Sequence, residues 1–221
     1  MNPVKGIGGD RGNLAARAAG ICVLALLALV AFGTASASAT KLCKAAETPE
    51  CLVAKTYGIG TKFQLDVVNE SSVRFVLSSG DLTCKESKFE LLLAEAGTPL
   101  KTKISSMVFS SCVQGKTTCA VETRNQPLLA NIYKFSELAY YGRVDFVPRE
   151  GANPSWKLSC TGGLDCIYGS KAIEGAVISG LTPLFKIEEK PLELEQGAGC
   201  PKETKIVVGY DFDVSPIYVT G

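Results

Sequence analysis

The 221-residue sequence contains no histidine, one tryptophan, two methionines and no excess of charge of either sign. Without imidazole, Ser-His-Asp and Cys-His catalysis, HExxH zinc sites and histidine-based pH switches are excluded within this chain. The 23 basic residues balance 22 acidic residues, which leaves a formal net charge of +1. This balance predicts no nucleic-acid partner, because such binding requires a strongly basic surface.

The N-terminus has the pattern of a signal peptide. Lys5, Arg11 and Arg17 precede twelve residues without a polar side chain, Ile21 to Phe32, and small residues with two overlapping A-x-A sites follow. This pattern predicts a signal peptide over residues 1–39 and a secreted or extracytoplasmic domain over 40–221, with no membrane span after cleavage. The alternative is a retained N-terminal membrane anchor, because residues 18–40 carry no charge.

Cleavage would remove Cys22 and leave eight cysteines, and an even number in an exported chain predicts four disulfides. The eight are Cys43, Cys51, Cys84, Cys112, Cys119, Cys160, Cys166 and Cys200. Short loops cost little chain entropy, which favours Cys43–Cys51, Cys112–Cys119 and Cys160–Cys166 and leaves Cys84–Cys200 as a long-range bond. The sequence has neither CxxC knuckles nor Cys/His sets, so we expect no metal site and no cofactor.

Apolar residues alternate with polar residues in many short runs after residue 40, which is the signal of half-buried antiparallel strands. The runs include Phe63-Leu65-Val67, Phe89-Leu91-Leu93, Leu129-Asn131-Tyr133-Phe135, Val144-Phe146 and Ile206-Val208-Tyr210-Phe212. Turn-forming residues separate them, as in sandwiches and barrels. We therefore predict an all-β fold, a single antiparallel β-sandwich or barrel-like domain stapled by disulfides. A two-lobed version is the alternative.

Three short motifs occur twice and suggest an internal duplication of residues 82–112 and 158–200. Leu82-Thr83-Cys84, Thr98-Pro99-Leu100 and Cys112 recur as Leu158-Ser159-Cys160, Thr182-Pro183-Leu184 and Cys200. The intervals between the motifs differ in the two copies, so chance matching is the alternative. If the duplication is real, Cys84–Cys112 is the rival pairing and Cys200 is bonded within the second half.

The order of the cysteine motifs resembles a group of uncharacterised secreted, cysteine-rich β proteins from soil actinobacteria. The resemblance rests on Leu-Thr-Cys, Phe-Ser-Ser-Cys, Cys-Ala-Val, Leu-Ser-Cys-Thr-Gly-Gly-Leu-Asp-Cys-Ile-Tyr and a closing Pro-Ile-Tyr-Val. It covers most of the chain after the predicted signal peptide. It implies export and a β fold, and no activity or site residue.

Paired carboxylates are the catalytic chemistry that remains without histidine. The candidates are Glu188 with Glu189, Glu193 with Glu195, Asp211 with Asp213, and Glu122 or Asp145 meeting Asp213 across a groove. Acids that alternate with apolar residues are also typical of a solvent-exposed strand face, and no calcium-loop spacing occurs. We therefore predict that the protein is not an enzyme.

Aromatic residues offer a binding function instead, because such side chains stack on sugar rings and suit contact surfaces. The candidates are Tyr140, Tyr141, Trp156, Tyr168 and Tyr218. Trp156 shares a strand face with Leu158 and is expected in the core. Tyr141 shares a face with Arg143 and Asp145, so it is the best candidate for ligand contact.

The sequence therefore predicts an exported non-catalytic module that binds a partner or glycan at or outside the cell envelope, for example a cell-wall glycan or protein. One alternative is an acid-pair glycoside hydrolase, which requires two carboxylates converging in a cleft. The other is a disulfide-rich protease inhibitor that presents a rigid loop closed by Cys160–Cys166 or Cys112–Cys119.

Overall fold

Strands form almost the whole of the described structure, as the alternating sequence predicts. A computed structural model of the chain describes residues 39–46, 51–69, 71–135, 141–171 and 173–221, without the side chains of Ser106, Glu188 and Glu189. The signal-peptide prediction and Cys22 fall on residues outside this description, apart from Ala39. In the described residues a 3₁₀ turn at Val53–Lys55 is the one helical element.

The strands of the described residues run in chain order as follows: β1 (Lys41–Cys43), β2 (Lys62–Val67), β3 (Val73–Val76), β4 (Leu82–Glu95), β5 (Leu100–Gln114), β6 (Thr117–Arg124), β7 (Leu128–Lys134), β8 (Tyr141–Val147), β9 (Ser155–Cys160), β10 (Asp165–Gly169), β11 (Ile173–Ile178), β12 (Leu184–Gln196), β13 (Glu203–Phe212) and β14 (Tyr218–Thr220). All the pairings between them are antiparallel. The all-β prediction is confirmed.

The main sheet closes on itself twice. One ring follows the order β4-β5-β7-β8-β11-β12-β13-β2 and returns to β4. The other follows β4-β5-β6-β9-β10-β12-β13-β3 and also returns to β4. The four longest strands belong to both rings, so the sheet forms two barrel-like lobes along shared strands. Closure leaves these strands no free hydrogen-bonding edge within the rings.

β-Bulges mark the points where a long strand changes neighbours. The register of β4 against β5 shifts between Lys88 and Glu90, whose partners Val108 and Ser105 lie where β5 leaves β7. The register of β12 against β13 shifts between Ile187 and Lys190. An extra residue bends a strand and increases its twist. The bulges therefore help β5 to leave β7 for β6, and β12 to leave β11 for β10.

Apolar side chains from both rings fill one continuous core. In β13 the alternating residues Ile206, Val208, Tyr210 and Phe212 are all buried, as the sequence predicts. Phe89 and Tyr210 meet edge to face, with ring centroids 4.7 Å apart. Burial of one such side chain stabilises the fold by about 1.5–3 kcal/mol. β1 and β14 pair separately, and Leu42 of β1 belongs to the same core.

Four cysteines form a row across neighbouring strands of the second ring. Cys84 of β4 is the register partner of Cys112 in β5, and Cys112 is in turn the partner of Cys119 in β6. Cys119 is the partner of Cys160 in β9. Only one arrangement of neighbouring bonds uses all four: Cys84–Cys112 and Cys119–Cys160, which the structure has.

All eight cysteines of the described residues are bonded, but three of the four predicted pairings are wrong. Cys43–Cys51 is confirmed, whereas the predicted Cys112–Cys119, Cys160–Cys166 and Cys84–Cys200 bonds do not form. The remaining bond is Cys166–Cys200. The prediction minimised loop length, but strand register decides which sulfur atoms meet. The rival pairing predicted a Cys84–Cys112 bond and a bond from Cys200 within the second half, and the structure has both.

The two copies of the suggested duplication occupy different strand arrangements. Residues 82–112 cover the adjacent strands β4 and β5, whereas residues 158–200 run from the end of β9 through β10, β11 and β12. Ser38–Gly221 forms one compact unit.

Candidate functional site

The candidate site lies on the outer face of β7, β8, β11 and β12. Tyr141 begins β8 and faces outward with Arg143 and Asp145, because the intervening Gly142, Val144 and Phe146 are buried. The sequence-based placement of Tyr141 on the same face as the two charged residues is therefore correct. The backbone N–H of Phe135 donates to the carbonyl of Tyr141 at 2.8 Å and brings the two aromatic residues together.

A cavity of about 280 Å³ opens beside Tyr141, lined also by Phe135, Gly142, Arg143, Glu174, Gly175, Ala176 and Lys190. Ala176 is the register partner of Arg143 and lies on the outer face with it, whereas Gly142 and Gly175 alternate with the outward residues and face the interior. The short side chain of Ala176 therefore leaves a low point between the aromatic pair and the charged side chains. Phe135 remains 39% exposed and is the aromatic member of the seven large hydrophobic side chains that are exposed in the described residues.

Charged side chains form the opposite wall as a chain of ion pairs. Arg143 Nε donates to Asp145 Oδ1 at 2.7 Å, and Arg143 Nη2 lies 3.3 Å from Glu174 Oε1. Lys190 Nζ lies 2.9 Å from Glu174 Oε2. Two cations and two anions therefore neutralise one another, while their remaining donors and acceptors stay open to solvent.

The ion pairs hold this wall in its charged form. The hydrogen bond from Lys190 lowers the pKa of Glu174, and the charges of Lys190 and Arg143 act in the same direction. The hydrogen bond to Asp145 raises the pKa of Arg143. A carboxylate with a lowered pKa stays ionised at neutral pH and is a poor general acid.

A second cavity, of about 390 Å³, adjoins the first and shares Phe135 and Arg143 with it. Tyr133, Lys134 and Asp145 complete its lining. We call the two cavities together the Tyr141 trough.

Sequence reasoning missed Tyr133 and Phe135 as site residues. Leu129, Asn131, Tyr133 and Phe135 form the outer face of β7, whereas Leu128, Ala130 and Ile132 form its buried face. Both sets alternate, and the outer set contains the larger aromatic residues, so the sequence pattern favoured the wrong face for the core. The polar Asn131, between Leu129 and Tyr133 on this face, was the signal for an outward orientation.

The other aromatic candidates lie elsewhere. Trp156 and Tyr168 are fully buried, which confirms the core position predicted for Trp156. Tyr218 is partly buried in β14, and Tyr140 lies outside the described residues.

The predicted acid pairs are not brought together in the Tyr141 trough. Glu193 and Glu195 are exposed on β12, and Asp213 is exposed beyond the end of β13. Glu122 belongs to β6 of the second ring, whereas Asp145 lies in the trough, paired with Arg143. The side chains of Glu188 and Glu189 lie outside the description.

The loops invoked for a protease inhibitor are not closed as predicted, because Cys112 bonds to Cys84 and Cys160 to Cys119. These bonds join neighbouring strands and do not clamp a protruding loop.

A further polar cavity of about 610 Å³ lies where β2 and β3 separate along β4. Its lining includes Lys85, Lys88, Asp66 and Glu86, and no aromatic side chain. It lacks the combination of flat apolar and polar groups that the Tyr141 trough offers.

No family model matches the chain, and no curated protein or solved structure matches it. Across the residues that the structure describes, no group of three or more cysteine and acidic side chains is placed to hold a metal ion. The same residues include no helix of sufficient length and hydrophobicity to cross a membrane. The four disulfides indicate an oxidising environment outside the cytoplasm.

Proposed function

We propose that this protein is an exported, non-catalytic binding module whose ligand is a glycan, and that the Tyr141 trough is its binding site. The exposure of Phe135 beside Tyr141, at a cavity that both side chains line, is the observation that carries the proposal. Aromatic side chains in this setting offer a broad apolar face at little conformational cost. The apolar C–H face of a sugar ring is complementary to such a surface.

The charged wall suits the hydroxyl groups of a sugar. Asp145 and Glu174 present acceptors, while Arg143 and Lys190 present donors. A hydroxyl group is both donor and acceptor, so it can bind to either kind of group. Because these four groups already pair with one another, a neutral ligand leaves their ion pairs in place.

The same wall argues against the hydrolase alternative. Acid-pair hydrolysis requires one carboxyl group with a raised pKa to protonate the leaving group. Asp145 and Glu174 are register partners at the trough, but the pKa of Glu174 is lowered. We therefore favour binding without turnover.

The test is a binding and turnover assay on protein purified after expression of the full-length chain. Linear oligosaccharides of β-linked glucose, xylose and N-acetylglucosamine serve as probes, with isothermal titration for binding and product analysis for hydrolysis. We expect saturable binding of at least one series without turnover. Tyr141→Ala should weaken that binding at least tenfold, or about 1.4 kcal/mol.

A matched pair of variants separates an effect on the binding site from an effect on the stability of the fold. Ala176→Leu fills the trough floor, whereas Ala120→Leu adds the same side chain at an exposed position of β6. We expect loss of binding from Ala176→Leu alone. Turnover of a probe, or binding that both Tyr141→Ala and Ala176→Leu leave unchanged, would contradict the proposal.

A further inference from the structure

The four cysteines of the row across β4, β5, β6 and β9 differ in their access to solvent. Cys84 and Cys112 are buried, at 0% and 4% exposure, whereas Cys119 and Cys160 are only partly buried. A thiol reduces a disulfide by direct attack on one of its sulfur atoms, so access helps to decide which bond reacts. Within the row, the Cys119–Cys160 bond is therefore the one that a reductant reaches first, while burial protects the Cys84–Cys112 bond.

Cys112 has a cysteine on either side of it in the sheet. Its register partner in β4 is Cys84, to which it is bonded, and its register partner in β6 is Cys119. Directly opposed residues of antiparallel strands have Cα atoms about 4.5–5.5 Å apart, within the range of about 4.4–6.8 Å that disulfides span. Cys119 lies on the far side of Cys112 from Cys84, which is the side from which a thiolate displaces one sulfur atom of a disulfide.

On these observations we propose that the cysteine row is a redox-sensitive switch, in which a dithiol reductant opens the Cys119–Cys160 bond and the freed Cys119 thiolate then displaces Cys84 from Cys112. In the first step one thiolate of the dithiol attacks Cys160 Sγ, forms a mixed disulfide and releases Cys119. Cys119 Sγ then attacks Cys112 Sγ, so that the Cys112–Cys119 bond forms, the Cys84–Cys112 bond breaks and Cys84 leaves with the electron pair.

The second thiol of the reductant completes the reaction. It displaces Cys160 from the mixed disulfide, and the reductant ends as its own internal disulfide. The protein gains two electrons, and the two protons of the dithiol end on Cys84 and Cys160. The product has one bond within the β5–β6 hairpin in place of the two bonds that join this hairpin to β4 and β9.

Burial sets the direction of the exchange. It replaces a thiol at the partly buried Cys119 with a thiol at Cys84, which is fully buried in the core. An unbonded cysteine behaves as a small apolar side chain, and apolar surroundings keep its thiol protonated. The core therefore accommodates the Cys84 thiol, which in its protonated form does not attack the new bond.

The first test treats the purified natural protein with increasing dithiothreitol under native conditions. Quenching in acid protonates the thiols and stops exchange before alkylation in denaturant and peptide mapping. Among molecules that have lost the Cys119–Cys160 bond, we expect most to contain a Cys112–Cys119 bond with alkylated Cys84 and Cys160. An intact Cys84–Cys112 bond beside alkylated Cys119 in most of them would overturn the proposal. Resistance of both bonds until the protein unfolds, or reduction of Cys84–Cys112 while Cys119–Cys160 survives, would also overturn it.

Cys160→Ser tests the exchange without a reductant. It leaves Cys119 unbonded beside the Cys84–Cys112 bond, and most of the folded variant should contain a Cys112–Cys119 bond and a thiol at Cys84. Cys200→Ser is the matched control, because it frees Cys166, whose register partner in β9 is Leu158 and not a cysteine. Its Cys84–Cys112 and Cys119–Cys160 bonds should remain. A Cys119 thiol beside a retained Cys84–Cys112 bond in most of the Cys160→Ser protein would contradict the switch.

Discussion

The row of four cysteines leads to a specific prediction about re-pairing. Replacing Cys84 and Cys160 with serine removes the outer members of the row. Cys112 and Cys119 then remain as register partners on the β5–β6 hairpin. Side chains of directly opposed residues lie on one face with Cβ atoms about 4.5–5.5 Å apart, and small shifts bring them within disulfide reach. We expect the double variant to form a Cys112–Cys119 bond.

The change in stability follows from the loops that the bonds close. The chain-entropy relation assigns about 3.6 kcal/mol to a separation of 28 residues and about 3.9 kcal/mol to 41, the separations of the two native bonds. It assigns about 2.4 kcal/mol to the seven-residue separation of the new bond. The double variant should therefore be less stable than the natural chain by about 5 kcal/mol, or about 10–20 °C in Tm.

Non-reducing peptide mapping and thermal denaturation test this prediction together. Cys84→Ser with Cys112→Ser is the control, because it removes one native bond and retains Cys119–Cys160, at a cost of about 3.6 kcal/mol. The re-paired variant should melt below this control. Free thiols at both Cys112 and Cys119 in the folded double variant would refute the argument that strand register determines which cysteines pair.

Three further predictions concern the signal peptide, the core and the Tyr141 trough. Mass spectrometry of the secreted product should give an N-terminus directly after one of the two A-x-A sites, and an uncleaved chain in the membrane fraction would contradict cleavage. Ser87→Ala should destabilise the fold by about 1–3 kcal/mol in chemical denaturation, because it leaves the buried Tyr210 hydroxyl without its 3.0 Å partner; an unchanged midpoint would contradict this. Lys190 lowers the pKa of Glu174, so the stability that the carboxylate confers is present above the ordinary value of about 4.3 and is lost as the pH falls through the lowered folded value. The stability difference between the natural protein and Glu174→Gln should therefore be constant above about pH 5 and shrink as the pH falls below the ordinary value, and a constant difference throughout would be inconsistent with this pairing.

Period-two alternation made the fold class predictable because half-buried strands place successive side chains on opposite faces. The prediction was strongest where large apolar residues alternated with charges, as Val144 and Phe146 do with Arg143 and Asp145. In β7 both alternating sets are apolar enough to face the core. There the buried set contains the small Ala130, and only packing against the neighbouring strands selects it.

Disulfide connectivity could not be predicted from the sequence for a related reason. Cys112 and Cys119 are indeed opposite each other on a hairpin, as their spacing suggests. The spacing gives no indication that β4 and β9 place Cys84 and Cys160 at the two ends of the same row. These contacts join strands that are distant in sequence, so they depend on the closed second ring and not on local chain entropy.

The glycines of the trough are weaker support for function than the aromatic residues, because packing alone explains them. A Cβ atom at Gly142 would lie 2.9 Å from the side chain of Val219, and one at Gly175 would collide with the carbonyl oxygen of Lys186. The fold requires both glycines whatever the trough binds. No such requirement applies to Phe135, whose ring stays 39% exposed and so gives up part of the about 1.5–3 kcal/mol that full burial contributes. The exposed ring of Phe135 beside Tyr141, and not the glycines, is therefore the feature that a binding function would explain.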